Sequence, residues 1–295
     1  MYQRVYGLTA LPFELTPDSK FLFLSTRQRE ALSVLQYGLS AAKPITLLIG
    51  EAGTGKTTLI TAALASDRCR HVRCIYLNNP ALRTDDFVRM LAIKFDLGPE
   101  AGSSKAVLVD RLERHLLERH DRGETTALVI DEAQTLSVEL LEEVRLLANI
   151  EKPSAKLLPL VLAGQPELAA RLEEPGLRQL KQRVTLRCEL EPFDLSDTAT
   201  FIASRIRTAG GDPSRLFTRE AVALIHEYSR GIPRTISVIC DNALVSGMAL
   251  GGRRVDRPIV IEVGRDLRLS PIPVPSLPQE SPVDPGRPIE RTVAK

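Results

Sequence analysis

The sequence predicts an α/β protein built on a parallel sheet, followed by a small domain made only of helices. Short apolar runs alternate with helical patterns as far as Pro192, and no strand-like run follows that residue. Short, continuous apolar strands separated by helices are typical of a parallel sheet that is covered on both faces. A glycine-rich turn lies between the first of these strands and the next helix, where a phosphate-binding loop belongs.

The composition fits a globular protein without a strong overall field. The chain has 295 residues, is 43% hydrophobic and carries a formal net charge of +2, which argues against general attraction to nucleic acid or anionic membranes. Its four cysteines are scattered, which predicts reduced thiols in a cytoplasmic protein. Neither a signal peptide nor an apolar run of about 18 residues is visible, so we expect no membrane span.

The first two predicted segments are an N-terminal stretch, residues 1–44, and an α/β core, residues 45–192. An amphipathic pattern between Arg27 and Ala42 predicts a helix in the first. The strand-like runs of the core are short and apolar: Ile45–Ile49, Val72–Leu77, Ala127–Ile130, Leu158–Ala163 and Val184–Leu190. Helical patterns are interspersed with them: Thr58–Ala65, Thr84–Phe95, Lys105–Arg119 and Val138–Asn149.

Residues 193–268 are predicted to form the helical domain. Its patterns follow one another without a strand: Ser196–Thr208, Thr218–Ser229, Pro233–Leu250 and Pro258–Leu267. Ser196 and Thr218 are predicted to be helix N-caps. Prolines recur through residues 269–295, which predicts an extended or disordered tail, with a proline-rich ligand for a partner as the alternative.

The phosphate loop is the most informative motif. It fits the pattern G-x-x-x-x-G-K-[ST], and its backbone N–H groups and the following helix N-terminus are suited to binding phosphate. Lys56 is expected to reach the β- and γ-phosphates, and the Thr57 hydroxyl is expected to bind Mg²⁺, which indicates a nucleotide-binding site. The loop consists of Gly50, Glu51, Ala52, Gly53, Thr54, Gly55, Lys56, Thr57 and Thr58.

Polar residues follow two other apolar runs and predict hydrolysis. Asp131 and Glu132 come directly after Leu128–Ile130, where open α/β sheets bind their ligands. Asp131 is expected to orient Mg²⁺, and Glu132 to polarise or position the attacking water as a general base. Gln165 follows the next strand-like run and is expected to contact the γ-phosphate or the lytic water.

Two arginines are candidates for completing the site. Arg183 belongs, with Arg178 and Lys181, to a predicted basic helix face before the last strand. It is either an arginine finger on a neighbouring subunit's nucleotide or part of a solvated face. Arg234 follows Gly231 and Pro233 at a predicted helix start, so it is either a cation that closes over the nucleotide or an exposed arginine.

These motifs resemble those of the AAA+ ATPases, specifically the ExeA/GspA type, whose members are encoded with secretion and exopolysaccharide systems. The resemblance covers about residues 1–268. It rests on the phosphate loop together with Tyr6-Gly7-Leu8, Pro12-Phe13, Pro17-Asp18, Gln36-Tyr37-Gly38-Leu39, Ile130-Asp131-Glu132-Ala133-Gln134, Gly164-Gln165-Pro166-Glu167-Leu168 and Ser229-Arg230-Gly231-Ile232-Pro233-Arg234.

The resemblance implies an AAA+ P-loop NTPase core with a parallel five-stranded sheet and a C-terminal helical lid. It also implies a homo-oligomer in which neighbours share the active site. The implied roles are the Walker B pair for Asp131 and Glu132, sensor 1 for Gln165, the arginine finger for Arg183, sensor 2 for Arg234, and the adenine pocket for Gly7, Leu8, Pro12 and Phe13.

The expected function is that of an accessory motor or switch for secretion or envelope assembly. Full ExeA-like proteins continue into a transmembrane segment and a peptidoglycan-binding domain. Neither is recognisable in these 295 residues, so a membrane role is expected to need a secretion-system or membrane-associated partner. A nucleotide-dependent scaffold with negligible turnover is another possibility, which the intact Glu132 argues against.

A DNA-binding ATPase, as in the related TniB and TnsC transposition proteins, is the alternative function. Five late basic residues are its candidate phosphate contacts: Arg253, Arg254, Arg257, Arg265 and Arg268. The near-neutral net charge and the lack of an appended helix-turn-helix motif favour the envelope role over DNA binding.

Overall fold

A five-stranded parallel sheet lies at the centre of the protein, as predicted. The computed structural model describes residues 1–16, 18–78, 82–153 and 155–271. Within these ranges the strands are β1 Ile45–Gly50, β2 Val72–Leu77, β3 Thr125–Ile130, β4 Glu151–Lys152, β5 Ala155–Lys156, β6 Leu160–Gly164 and β7 Val184–Leu190. The parallel sheet has the order β2-β3-β6-β1-β7, whereas β4 and β5 form a separate antiparallel hairpin.

Helices cover the sheet and make up the C-terminal domain. In the described ranges they are α1 Tyr2–Tyr6, α2 Thr26–Ser40, α3 Lys56–Leu64, α4 Thr84–Lys94, α5 Lys105–Asp121, α6 Val138–Leu147, α7 Pro166–Leu172, α8 Arg178–Lys181, α9 Leu195–Thr208, α10 Pro213–Leu216, α11 Arg219–Ser229, α12 Pro233–Ala249 and α13 Arg257–Asp266. Every predicted strand and helix of the core and lid is present, with ends displaced by no more than a few residues.

Two details of the prediction were wrong. Ser196 is not an N-cap, because α9 begins at Leu195 and the Asp194 side chain accepts the hydrogen bond from the Asp197 N–H. Arg183 does not lie on a helix face, because α8 ends at Lys181 and its C-cap is Gln182. The N-cap at Thr218 is confirmed, since its hydroxyl accepts from the Ala221 N–H.

Successive residues of the strands face two different layers of helices. Leu47 and Leu128 pack into one core with residues of α4, α5 and α6. Their neighbours Leu48 and Val129 pack into a second core with residues of α2 and α3. Because side chains alternate along a strand, a sheet buried on both faces needs apolar residues at every position. This requirement explains the unbroken apolar runs in the sequence.

The register of the sheet separates the functional residues into two groups. Ile45 pairs with Val184 at one end of β1 and β7, and Gly50 pairs with Leu190 at the other. The phosphate loop and Asp131 therefore follow the carboxyl ends of their strands, where ligands bind in open α/β sheets. Arg183 directly precedes β7 and lies at the amino end of the sheet.

The lid has a core of its own, and the start of the chain is part of it. Leu8 and Phe13 are buried with residues of α9, α11 and α12. Phe23, Phe193 and Phe201 form an aromatic cluster, with ring centroids 5.5, 5.8 and 5.6 Å apart in its three pairs. Such edge-to-face and tilted pairs fix the relative positions of the segments that carry them.

The predicted N-terminal segment, residues 1–44, is therefore divided between two cores. Phe23 packs with the lid, whereas Leu24 packs beside α2 and α3 on the sheet. An ion pair between Arg27 and Glu191 links the start of α2 to the end of β7. The two passages of the chain between core and lid thus lie side by side.

The tail predicted for residues 269–295 lies outside the described residues from position 272 onward. In the part of the chain that the structure describes, no helix combines the length and hydrophobicity that crossing a membrane requires. The four cysteines, all within the described ranges, are free thiols.

Candidate nucleotide-binding site

The phosphate loop connects β1 to α3 and is held in shape by its own contacts. Gly53 has a φ of 83°, a left-handed conformation that favours glycine. Thr54 is buried, and its hydroxyl donates to the Glu51 carbonyl at 2.8 Å. From α2, the Gln28 amide donates to the Thr54 carbonyl at 3.3 Å. These hydrogen bonds hold the turn in shape from within the chain.

Lys56 is folded back against this turn. Its ammonium donates to the carbonyls of Gly50 at 2.6 Å and Glu51 at 3.1 Å, and the residue is only 5% exposed. Burial lowers the pKa of Lys56, while the nearby Glu132 and Asp131 oppose that change. A buried cation whose partners are mainly neutral carbonyls is ready to accept an anionic phosphate.

Thr57, Asp131 and Tyr76 meet at one carboxylate oxygen. The Thr57 hydroxyl donates to Asp131 Oδ2 at 2.8 Å, and the Tyr76 hydroxyl donates to the same oxygen at 2.5 Å. Burial and then the bond to Asp131 raise the pKa of the Tyr76 phenol. The juxtaposed hydroxyl and carboxylate are the oxygen ligands that Mg²⁺ prefers, so the residues fit the ion that the motifs predict.

Glu132 is placed beside Gln165 by an unusual backbone conformation. Its φ of 54° is left-handed, and its N–H donates to Asp131 Oδ1 at 2.9 Å. The Glu132 carboxylate accepts from the Gln134 amide at 2.5 Å and from the Gln165 amide at 3.4 Å. The structure therefore brings together the two residues that the sequence predicts at the ends of β3 and β6.

The lid contacts the phosphate loop through the first turn of α12. The Arg234 N–H donates to the Gly53 carbonyl at 3.2 Å. A Cβ atom on Gly53 would lie 2.9 Å from Arg234 Cβ and 3.1 Å from Ile232 Cγ2. Upstream, the Phe193 N–H donates to the Gly231 carbonyl at 2.8 Å. The short segment from Gly231 to Arg234 is thus bonded at one end to the connection between β7 and the lid and at the other to the phosphate loop.

Arg183 does not join this group of residues. It is exposed at the amino end of β7, beside the β4–β5 hairpin. After Lys156, the Arg183 guanidinium helps to lower the pKa of Glu151 in that hairpin. A strand of the length of β7 spans about 20 Å, so Arg183 and the phosphate loop of the same chain lie at opposite edges of the sheet.

The residues expected near the adenine lie at the lid. Leu8 and Phe13 are 8% and 1% exposed within the lid core, and the Phe13 ring packs edge-to-face on Phe217. Pro12 is buried as well, whereas Gly7 ends α1 in a left-handed conformation. Their role in binding a base stays a prediction.

Four further residues of the site carry no recognisable sequence signal of their own. Tyr76 lies on β2 opposite Val129 of β3, two residues before Asp131, and only the sheet order places it there. Gln28 and Arg171 contact the turns after β1 and β3 from a distance in sequence, whereas Gln134 lies in the turn after β3 itself. Gln134 ends the motif Ile130–Gln134, but the pattern by itself assigns no role to that last residue.

Comparisons with known proteins support the same fold for this chain. Residues 40–172 match a family described as AAA domain. The fold is similar to that of Cdc6p from Pyrobaculum aerophilum, with a TM-score of 0.66 and 19% identity over 85% of this chain and 71% of that one. It is also similar to the Aeropyrum pernix ORC1 protein in complex with DNA, with a TM-score of 0.62 and 20% identity over 87% and 69% of the two chains. Fold, phosphate loop and domain match together show a P-loop core of the AAA+ fold.

One curated relative is more similar in sequence. General secretion pathway protein A of Aeromonas hydrophila is 38% identical over 255 residues, which are 86% of this chain and 46% of that protein. The chain resembles this ExeA/GspA type over most of its own length and spans about half the length of the relative.

Proposed function

We propose that the protein is a Mg²⁺-dependent, oligomeric ATPase that acts as an accessory motor or switch in a secretion or envelope-polymer assembly system. The observation that carries this proposal is the clustering of Lys56, Thr57, Asp131 and Glu132 at one edge of the sheet, beneath the first turn of a lid helix. Such an arrangement suits a site that binds a triphosphate, hydrolyses it and transmits its state to a second domain.

Each residue at this edge has a distinct part in hydrolysis. Lys56 and the loop N–H groups bind the phosphates, while Thr57 and Asp131 hold Mg²⁺. When held there, Mg²⁺ would supply positive charge next to the transferred phosphoryl group. Glu132 polarises the attacking water, and Gln165 lies 3.4 Å from its carboxylate, in position to sense the γ-phosphate.

The location of Arg183 supports a site shared between subunits. Its exposed side chain lies at the amino end of β7, far from the phosphate loop of its own chain. In an assembly that stacks the amino edge of one sheet on the nucleotide edge of the next, Arg183 adds a cation where negative charge develops. Hydrolysis then depends on oligomerisation.

Arg234 supports the coupling of nucleotide state to lid position. Its backbone is bonded to Gly53, so its side chain starts from the rim of the phosphate loop. Attraction between its guanidinium and a γ-phosphate stabilises the closed lid, and loss of that phosphate removes the attraction. The lid angle is the mechanical output of the cycle.

The link to secretion rests on the resemblance to General secretion pathway protein A. The link to envelope assembly rests on the motifs shared with the wider ExeA/GspA type. We place the protein on the cytoplasmic side, where ATP is available, and at the inner membrane through a protein partner. The test is chromosomal replacement of the gene by its Glu132→Gln form, with export of secreted proteins and surface polysaccharide as the readout. Loss of one export activity supports the proposal, and full export of both contradicts it.

DNA binding is a second candidate, favoured by a fold shared with an ORC1 protein in complex with DNA. Two of the five arginines predicted as DNA phosphate contacts are bonded within the lid. Arg253 pairs with Asp256 at 3.1 Å, and Arg254 donates to the Phe217 carbonyl at 2.8 Å. A turnover assay with double-stranded DNA across a salt series separates the functions. Salt-sensitive stimulation supports DNA binding, and turnover independent of DNA excludes it as the activator.

A further inference from the structure

Gln134 joins two parts of the candidate site that are far apart in sequence. Its Nε2 donates to Glu132 Oε2 at 2.5 Å, and its Oε1 accepts from the Gln165 N–H at 3.2 Å. A carboxylate can only accept and a backbone N–H can only donate, so these partners fix which way the amide points. A glutamine satisfies both at once, which neither a hydrocarbon nor a second carboxylate can do.

The surroundings hold Gln134 in this position. The Arg171 guanidinium on α7 donates to the Gln134 carbonyl at 2.7 Å and to the Leu136 carbonyl at 2.6 Å. Gly164, the last residue of β6, provides the space, because a Cβ atom there would lie 2.9 Å from Gln134 Oε1. The side chain is therefore fixed from the turn after β3 and from the strand end beside it.

Only one oxygen of the Glu132 carboxylate is involved in these contacts. Oε2 accepts from the amides of Gln134 and Gln165, whereas Oε1 has no hydrogen bond within the described residues. A general base needs one oxygen directed at its water, and holding the other oxygen restricts rotation of the carboxylate. Charge-assisted hydrogen bonds of this kind are the stronger ones in proteins.

We propose that Gln134 is a positioning residue, which orients the Glu132 carboxylate for attack and connects it to the strand end that carries Gln165. The proposal rests on the proposed hydrolytic role of Glu132. Gln134 also couples Gln165 to Glu132. If Gln165 shifts after a change at the γ-phosphate, the Gln134 amide transmits that shift to the Glu132 carboxylate.

Three single variants test this proposal in steady-state ATP turnover and in ATP binding. Gln134→Leu removes both hydrogen bonds, and Gln134→Glu keeps the acceptor for the Gln165 N–H but sets a carboxylate against Glu132. We expect both variants to lower kcat roughly 10- to 100-fold, because each loses one charge-assisted hydrogen bond to Glu132. The Kd for ATP is expected to stay unchanged. Gln36→Glu, the same change of residue type in the C-terminal half of α2, is the control and is expected to leave kcat and the Kd for ATP unchanged. Near-normal kcat in Gln134→Glu overturns the proposal.

A double-mutant cycle with Glu132→Gln separates positioning from a general structural effect. If Gln134 acts through the Glu132 carboxylate, Gln134→Leu causes no further loss in the Glu132→Gln background, measured as single-turnover hydrolysis of radiolabelled ATP. A loss of the same size in both backgrounds overturns the proposal and assigns Gln134 to folding. Normal turnover of Glu132→Gln alone contradicts the proposed role of Glu132, and this result is distinguishable because it appears before Gln134 is changed.

Discussion

The N–H of Arg234 donates to the carbonyl of Gly53, so the first turn of the lid helix α12 is hydrogen-bonded directly to the phosphate loop. The contact is close on both sides, since a single added carbon on Gly53 would lie 2.9 Å from Arg234 Cβ. The phosphate loop and the first turn of α12 are therefore in direct contact, so a change in the position of one affects the other.

The first prediction concerns this contact. Gly53→Ala adds a carbon where φ is positive and Arg234 is adjacent, so we expect it to cost about 1–2 kcal/mol of local strain and to weaken ATP binding about tenfold. Isothermal titration with ATP measures the effect. Gly176→Ala is the control, because nothing lies within 4 Å of the added carbon. Equal affinity of the two variants would mean that the loop and lid move apart freely.

Removing the buried cation of the phosphate loop is expected to abolish binding. Lys56→Ala leaves the carbonyls of Gly50 and Glu51 without their donor and removes the positive charge that meets the phosphates. Titration with a fluorescent ATP analogue measures the change, with exposed Lys94→Ala as the control. Wild-type affinity in Lys56→Ala would show that nucleotide binds elsewhere.

Glu132→Gln separates binding from hydrolysis. The amide keeps the size of the side chain but cannot take a proton from water, so we expect turnover to fall by about 10²- to 10⁴-fold while the Kd for ATP stays the same. Exposed Glu30→Gln on α2 is the control. Turnover near the wild-type rate would remove Glu132 from the mechanism.

The proposed role of Arg183 as an arginine finger is tested by mixing two inactive variants. Arg183→Ala is expected to lose about 10³-fold in turnover, whereas Arg178→Ala on the same surface keeps its activity. Lys56→Ala subunits still carry Arg183, so adding them to Arg183→Ala subunits is expected to restore part of the turnover. A mixture as inactive as its components argues that no site is shared.

The aromatic cluster predicts a stability effect confined to the lid. Phe201 is 6% exposed and contacts both Phe23 and Phe193, so Phe201→Ala is expected to cost about 3–5 kcal/mol. Thermal unfolding measures the loss, with half-exposed Leu195→Ala on the same helix as the control. A loss no larger than that of the control would show that the cluster does not hold the lid.

The site residues that can be located from the sequence belong to continuous motifs. Lys56 and Thr57 follow one apolar strand, and Asp131 and Glu132 follow another, so local pattern is sufficient to predict their proximity. Tyr76 reaches the site from the neighbouring strand β2, and Gln134 contacts the end of β6 from the turn after β3, so both contacts depend on the order β2-β3-β6.

The smaller errors of the fold prediction have local causes. Asp194 and Ser196 are both good N-caps two residues apart, and the sequence alone does not decide between them. The β4–β5 hairpin is absent from the prediction because strands of two residues have no periodicity. Helix α7 is also absent from the prediction, because it begins at Pro166 and proline fits a first helical turn as well as a loop.

The division of the N-terminal segment between two cores has a mechanical consequence. The chain passes from lid to core between Phe23 and Leu24 and returns after Glu191, and the Arg27–Glu191 ion pair lies beside both passages. A body attached at two neighbouring points keeps one easy rotation, about the line that joins them. We therefore expect the lid to rotate mainly about this line when a nucleotide binds at the phosphate loop.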